Sequence, residues 1–364
     1  MDTQNSINSS LPTVPVAIVG YGGMGAWHAD RLDECIGLEC AGIVDVRQCR
    51  MDLAKEKGRR VYKDLEELIA DEGVKLVTVA TPNHLHKEIC CRLMEGGKNV
   101  ICEKPVAMNS AELQEMIDTS KRCGVFFTVH QNRRWDKDYL IVKKLKDENT
   151  LGRIFRIESR THGSRGIPGD WRNKKQYGGG MLFDWGVHLL DQLLMMLPNR
   201  ILSVYAQMTN VTNEDCDDGF TAQITFEGDV CVECQVSTSN FISLPRWYVL
   251  GENGTAVIEN FNLDGKIVMV SDWENRDAVP VNTAAGLTKT MAPRTDDTIR
   301  EYPLPTVESD IHNYYYNMAN VVRGTELPIV KHHEVMRVFR LMEAIIESHE
   351  TGKVVTGFDC PPEA

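Results

Sequence analysis

Through the first third of the chain, short β-branched apolar runs alternate with longer amphipathic stretches. Val14 to Val19 is the first run, and Cys40 to Val44, Leu76 to Ala80, Asn99 to Cys102 and Val125 to Val129 repeat it. Helix-compatible segments lie between them at Ala26 to Leu32, Met51 to Lys57, Asp64 to Ala70, Ile89 to Met94 and Ala111 to Arg122, with one further short strand at Arg60 to Tyr62. Apolar runs of this length suit strands buried on both faces, and strand alternating with helix predicts a parallel sheet with crossovers on both sides. Ligands of such sheets lie beyond the carboxyl ends of the strands.

Later in the chain the period changes to two. Arg153 to Ser159, Ile201 to Met208, Thr221 to Phe226, Val230 to Ser237, Arg246 to Gly251 and Gly254 to Glu259 alternate like half-buried strands, with Gly228-Asp229 as a turn. They predict an open, mainly antiparallel sheet flanked by helices, whose other face is available to a second copy of the chain. Val307 to Arg323 and Lys331 to His349 read as helices, so Tyr314, Tyr315 and Tyr316 divide between core and rim, and His312 reads as a packing residue. Residues 288–297 read as a polar loop without an assigned role. The expected organisation is a disordered tail at 1–14, an α/β domain at 15–130 and an α+β domain at 131–364.

The first strand runs directly into Gly20-Tyr21-Gly22-Gly23-Met24-Gly25, the pattern G-x-G-x-x-G. Gly20 permits the tight turn, Gly22 lets the backbone approach a pyrophosphate, and Gly25 lets the helix pack close to the strand, with Gly23 and Met24 opening that helix. The helix start supplies free N–H groups and a partial positive charge. Asp45 ends the second strand, about twenty residues further on, where a carboxylate can accept from both ribose hydroxyls. NAD is therefore expected rather than NADP, although Arg47 could pair with a 2′-phosphate. Thr81, Asn83 and His86 beyond one strand end, and Glu103 and Lys104 beyond another, complete the candidate cofactor contacts.

Lys104 stands between Glu103 and Pro105 on a loop at the ligand edge, a position suited to catalysis. A second concentration of signal runs from Gly178-Gly179-Gly180 to Asp191, a glycine turn leading into a helix. Asp184 and His188 are four apart and share a face of a regular helix. Oxidising an alcohol requires loss of a hydroxyl proton, and histidine titrates near the operating pH. Asp184 is expected to orient the imidazole or to bind a substrate hydroxyl. The plain alternative is a capped helix start with a core-facing histidine.

Gly20 to Gly25, Glu103-Lys104-Pro105 and Gly178 through Asp191, in this order, resemble the Gfo/Idh/MocA family of sugar and inositol oxidoreductases. The resemblance spans nearly the whole chain. It implies a Rossmann domain followed by a sheet domain, an active site between them, dimer or tetramer assembly, and Lys104, Asp184 and His188 as the catalytic lysine, aspartate and histidine. The stretch His130-Gln131-Asn132-Arg133-Arg134-Trp135 resembles the polyol and sugar dehydrogenase branch, which makes Asn132 and Arg133 candidate cofactor or substrate contacts, or interdomain braces. Arg165, Trp171, Arg172 and Tyr177 lie on a polar segment that could reach over the cleft and meet a sugar through bidentate donors and an aromatic face.

Composition narrows the classes. No apolar run of about 18 residues is present to span a bilayer, and Met1 to Pro15 lacks the marks of a secretory signal. The net charge of −12 disfavours nucleic acid. Eleven cysteines without a signal fit free thiols in the cytoplasm. Cys231 and Cys234 lie three apart on a strand, hence on opposite faces, so no metal site is expected. The expected function is NAD-dependent oxidation of a ring secondary alcohol of a sugar, glycoside or inositol. Alternatives are glycoside oxidation at ring carbon 3 with an internally recycled NAD, imine reduction or action on an open-chain substrate, and a non-catalytic sensor of NAD or sugar.

Overall fold

The computed structural model describes residues 12–276 and 279–359. The tail expected at 1–14 lies outside them up to residue 11. Five parallel strands, β1 (Val14–Val19), β2 (Leu38–Val44), β3 (Leu76–Val79), β4 (Asn99–Glu103) and β5 (Phe127–His130), form a sheet in the order β2-β1-β3-β4-β5. Helices α1 (Gly23–Glu34), α2 (Gln48–Glu56), α3 (Leu65–Ala70), α4 (His86–Glu95) and α5 (Ser110–Cys123) connect them. All four residues of β3 and of β5 are buried, as the unbroken apolar runs require. The strand expected at Arg60 to Tyr62 is reduced to one bridge, Val61 with Ile43, at the outer edge of β2.

Helix α6 (Lys137–Asp147) then leads into a second sheet, with β6 (Ile154–His162), α7 (Val187–Met196), β7 (Ile201–Thr209), β8 (Gly219–Phe226), β9 (Val230–Ser237), β10 (Trp247–Gly251), β11 (Gly254–Ile258) and β12 (Gly265–Val270). A hairpin of β13 (Val281–Thr283) and β14 (Gly286–Thr288) stands apart, and β15 (Ile299–Tyr302), α8 (His312–Val322), α9 (His332–Thr351) and β16 (Val355–Thr356) follow. The large sheet runs β15-β12-β11-β10-β6-β9-β8-β7-β16 among the described residues. Its pairs are antiparallel except β6 with β9. Gly228 and Asp229 both take positive φ, 90° and 59°, as the two-residue turn between β8 and β9 needs. Cys231 is exposed and Cys234 buried, on opposite faces of β9.

Trp247 anchors α6 to this sheet. Its ring is fully buried, worth roughly 4–6 kcal/mol of transfer free energy for an aromatic of this size. Its indole N–H donates to Asp138 Oδ2 at 2.8 Å, and Arg246 Nε lies 3.0 Å from the same oxygen. The helix expected from Val307 starts only at His312, whose N–H donates to the Asp310 carboxylate at 2.9 Å. The His312 ring bridges Asp310 and Glu34.

The C-terminal helices return to the first domain. Tyr314 and Tyr315 are buried in its core with Met318, Val330 and Phe339, while Tyr316 is half-buried. Tyr314 Oη donates to the Val129 carbonyl at 3.2 Å and Thr128 Oγ1 to that of Val330 at 3.1 Å. This packing covers the end strand β5 and fixes the two sheets relative to each other.

Candidate active site

The glycine turn has the shape of a phosphate cradle. Gly20 has φ +92°, and a Cβ there would lie 2.6 Å from the Ala80 carbonyl oxygen; one at Gly25 would lie 1.8 Å from the Gly20 oxygen. Above them the space is open: Gly23 has nothing within 4 Å, and the helix carrying Met24 begins after Gly22 without a side-chain cap. Its first-turn N–H groups are thus left for an anion. These features fit a dinucleotide. Asp45 is buried beside them, with Oδ2 accepting from the Tyr21 N–H at 2.7 Å and Oδ1 from the Arg47 N–H at 2.8 Å. Arg47 Nε lies 3.4 Å from Oδ1, so the guanidinium leans along the turn toward Gly22 rather than standing free.

Beyond β3 and β4, several candidate cofactor residues work as braces. The two ring nitrogens of His86 reach the carbonyls of Thr81 (2.8 Å) and Pro105 (2.9 Å), tying the two loops together. Asn83 is buried and its amide donates to the Gly178 carbonyl at 2.8 Å, clamping the second domain's glycine turn onto the first. Tyr177 supports this clamp by stacking on His84, with ring centres 4.7 Å apart. His86 and Asn83, both expected at the cofactor, make these hydrogen bonds to backbone at the ligand edge of the sheet. Thr81 Oγ1 is buried without a partner.

The carboxylate of Glu103 likewise turns inward. Its Oε1 accepts from His28 Nε2 at 2.8 Å and His130 Nδ1 at 2.7 Å, and Oε2 from the Lys104 N–H at 3.1 Å. Burial pushes its pKa up, but the two histidines outweigh burial and hold it well below the usual carboxylate range. His28 Nδ1 is 2.8 Å from Tyr315 Oη, which extends the array to α8. Sequence reading missed His28 and His130; they come from α1 and from β5, and only the register of β4 against β5 brings Glu103 beside His130.

Lys104, by contrast, points across the domain boundary. Its Nζ donates to the Asp184 carbonyl oxygen at 2.9 Å and to Asp184 Oδ1 at 3.1 Å. Arg172 Nε lies 3.7 Å from the same Oδ1, and its guanidinium covers the Trp171 ring at 4.6 Å, so both residues reach the site's mouth. Arg165 is exposed and joins no ion pair or hydrogen bond among the described residues, which leaves it apart from this group.

Asp184 lies in a π-helical turn, Leu182–Gly186, and His188 in the first turn of α7. The wider π turn breaks the regular stacking that a spacing of four implies. No hydrogen bond joins Asp184 to His188; the expected orienting role is replaced by the contact with Lys104. His188 is buried with Nδ1 unpartnered. Burial first, then the charges of Lys104 and Arg133, hold its pKa well below the ordinary value. The imidazole therefore stays neutral to lower pH than an ordinary histidine.

Four further residues lie around the pair. Asp217 underlies the glycine turn: its Oδ2 accepts from the Leu182 N–H at 2.8 Å, fixing the π turn, and no local signal marks a residue so distant in sequence. Arg133 stacks on Trp185 at 4.1 Å and pairs with Asp136 at 2.9 Å. Arg134 makes a bidentate pair with Asp191 at 2.6 and 2.7 Å and reaches Glu334, seating α7 against the end of β5. Asn132 is half-buried with Oδ1 unpartnered.

Comparison with known proteins agrees with this architecture. The chain is 27% identical over 360 residues to the NADP(+) scyllo-inositol 2-dehydrogenase IolW of Bacillus subtilis, covering 95% of this chain and 96% of that one. It is 29% identical over 204 residues to the myo-inositol 2-dehydrogenase of Thermotoga maritima, covering 55% and 60%. A solved structure of an NAD-binding protein from Listeria innocua superposes with a TM-score of 0.91 at 43% identity, covering 95% of this chain and all of that one. Residues 14–131 match the oxidoreductase family with an NAD-binding Rossmann fold, and residues 139–257 match the GFO/IDH/MocA C-terminal domain. The chain belongs to the Gfo/Idh/MocA family of nicotinamide-dependent oxidoreductases.

Proposed function

We propose that this enzyme oxidises a ring secondary alcohol of an inositol, sugar or glycoside to the ketone, with NAD as the preferred cofactor. The observation that carries the reading is the Lys104 ammonium held at the sheet's carboxyl edge by Asp184, in the electrostatic neighbourhood of a buried, neutral His188. NAD, when bound, supplies the hydride acceptor; Gly20 to Gly25 hold its pyrophosphate and Asp45 its ribose.

The substrate hydroxyl lies between Lys104 and His188. Lys104 donates a hydrogen bond to the oxygen and stabilises the negative charge that grows as the C–H bond breaks, a contribution of about 3 kcal/mol for a preorganised donor. His188 takes the hydroxyl proton on a ring nitrogen. Asp184 keeps the ammonium aimed through its carboxylate and its carbonyl. Arg172 and Trp171 at the mouth offer a donor and an aromatic face to the rest of the ring. Asp45 supports NAD over NADP because its charge repels a 2′-phosphate, and Arg47 is paired with that same carboxylate. Assembly into a dimer or tetramer through the large sheet accompanies this reading.

The test is nicotinamide absorbance during incubation with NAD or NADP and a panel of inositols, free hexoses and glucosides. Sustained NADH formation with a cyclic polyol or sugar supports the proposal. Sustained turnover with NADP alone overturns the NAD preference. A product altered at ring carbon 3 without net NADH assigns the internally recycled cofactor instead.

A further inference from the structure

Gln131 directly follows β5, in the position after His130. Glu103 and His130 are register partners on β4 and β5, so the backbone of Gln131 leaves the sheet alongside that of Lys104 at the edge where ligands bind. The Gln131 side chain is 1% exposed, and neither its Oε1 nor its Nε2 has a hydrogen-bond partner. Burying a carboxamide with donor and acceptor both unanswered is costly, and native proteins keep such groups chiefly where function uses them. The neighbours repeat the pattern: Asn132 Oδ1, Arg133 Nε, His130 Nε2 and His188 Nδ1 are also buried without partners. Gln131 is thus a buried, unanswered carboxamide at the carboxyl edge of the sheet, beside the unanswered atoms of Asn132 and Arg133, where a ligand would answer it.

We propose that the Gln131 carboxamide is a ligand-recognition group of the active site, pairing with a group that offers one acceptor and one donor on neighbouring atoms. Two sources carry that chemistry: the carboxamide of nicotinamide, and a pair of vicinal hydroxyls on the polyol. The inference rests on the nicotinamide-dependent reading of the site given above.

The full-length Q131M variant removes the amide at nearly constant volume. Its unliganded Tm is expected to equal or exceed that of the wild type, because a buried unpaired amide is lost. If the partner is nicotinamide, the Kd for NADH weakens about tenfold, and the wild type but not Q131M discriminates against the 3-acetylpyridine analogue, which lacks the amide N–H. If the partner is the diol, NADH binding is unchanged and KM for the polyol rises about tenfold. Should Q131M fail to fold, Q131N, which keeps the amide but withdraws it by one methylene, is expected to give the same losses. NADH affinity and polyol KM both within about twofold of wild type would overturn the proposal and assign the amide to ordered water. A wild type that binds dinucleotide but turns over no alcohol would instead count against the proposed function, a result the binding arm distinguishes.

Discussion

The Lys104 ammonium lies 3.1 Å from Asp184 Oδ1 and 2.9 Å from the same residue's carbonyl oxygen, a contact that joins the two domains across 80 positions of sequence. Because both partners are largely shielded from water, the pair orients the lysine before any substrate arrives. K104M is expected to lower kcat by about 10²- to 10³-fold, the loss for one preorganised donor, while the Kd for NADH changes little. Steady-state kinetics alongside fluorescence titration separates the two; preserved turnover would remove Lys104 from the mechanism.

His188 sets the acid side of the pH profile. With its pKa depressed by burial and by Lys104 and Arg133, it remains a base at pH values where an ordinary histidine is half protonated. The acidic limb of kcat for alcohol oxidation is expected below about pH 6.5, and H188N is expected to lose about 10²- to 10⁴-fold in kcat together with that limb.

Stability follows the same protonation logic. His28, His86, His162, His188 and His332 all have pKa values lowered first by burial, so the unfolded chain binds more protons than the native state below about pH 6.5. Their contribution is present in full above that pH and is lost as pH falls through the lowered native values. Asp136 and Asp217 oppose them: burial raises both, Asp217 to about 6, so each takes up a proton on folding and gains stability as pH falls. Five histidines against two aspartates predict a Tm that is level above about pH 6.5 and declines below it. A Tm that rises on acidification to pH 5 would contradict this balance.

Much of the molecule was legible from pattern alone. Period-two and unbroken apolar runs place most strands, since each period reports which faces are buried. Helix α6 was missed because Lys143, Lys144 and Lys146 obscure its apolar face of Tyr139, Val142 and Leu145. Strand β15 was missed because three of its four residues are exposed at the edge of the sheet. In the site, the glycine turn, Asp45, Lys104, Asp184 and His188 could be singled out because their signals are local. The partners of Glu103 and the support from Asp217 could not, because strand register and tertiary packing create them.

Cofactor choice turns on Asp45 and Arg47. D45A removes both the ribose acceptor and the charge that holds Arg47 back, so the ratio of kcat/KM for NAD to that for NADP is expected to fall by at least about tenfold. An unchanged ratio would show that Asp45 serves only to cap the strand end.

Arg134 is expected to matter for folding more than for chemistry. R134M leaves the buried Asp191 carboxylate uncompensated and takes a partner from the half-buried Glu334, and is expected to cost about 3–5 kcal/mol, read from denaturant unfolding. A loss below about 1 kcal/mol, the range of exposed pairs, would contradict the burial of this bridge.

The most direct test of the central claim follows the hydrogen. With the alcohol identified by the substrate panel and labelled with deuterium at its carbinol carbon, mass spectrometry of the reduced cofactor is expected to show one deuterium on the nicotinamide ring per ketone formed. Deuterium appearing only in solvent, with unlabelled NADH or none, would contradict direct hydride transfer to nicotinamide from an alcohol held between Lys104 and His188.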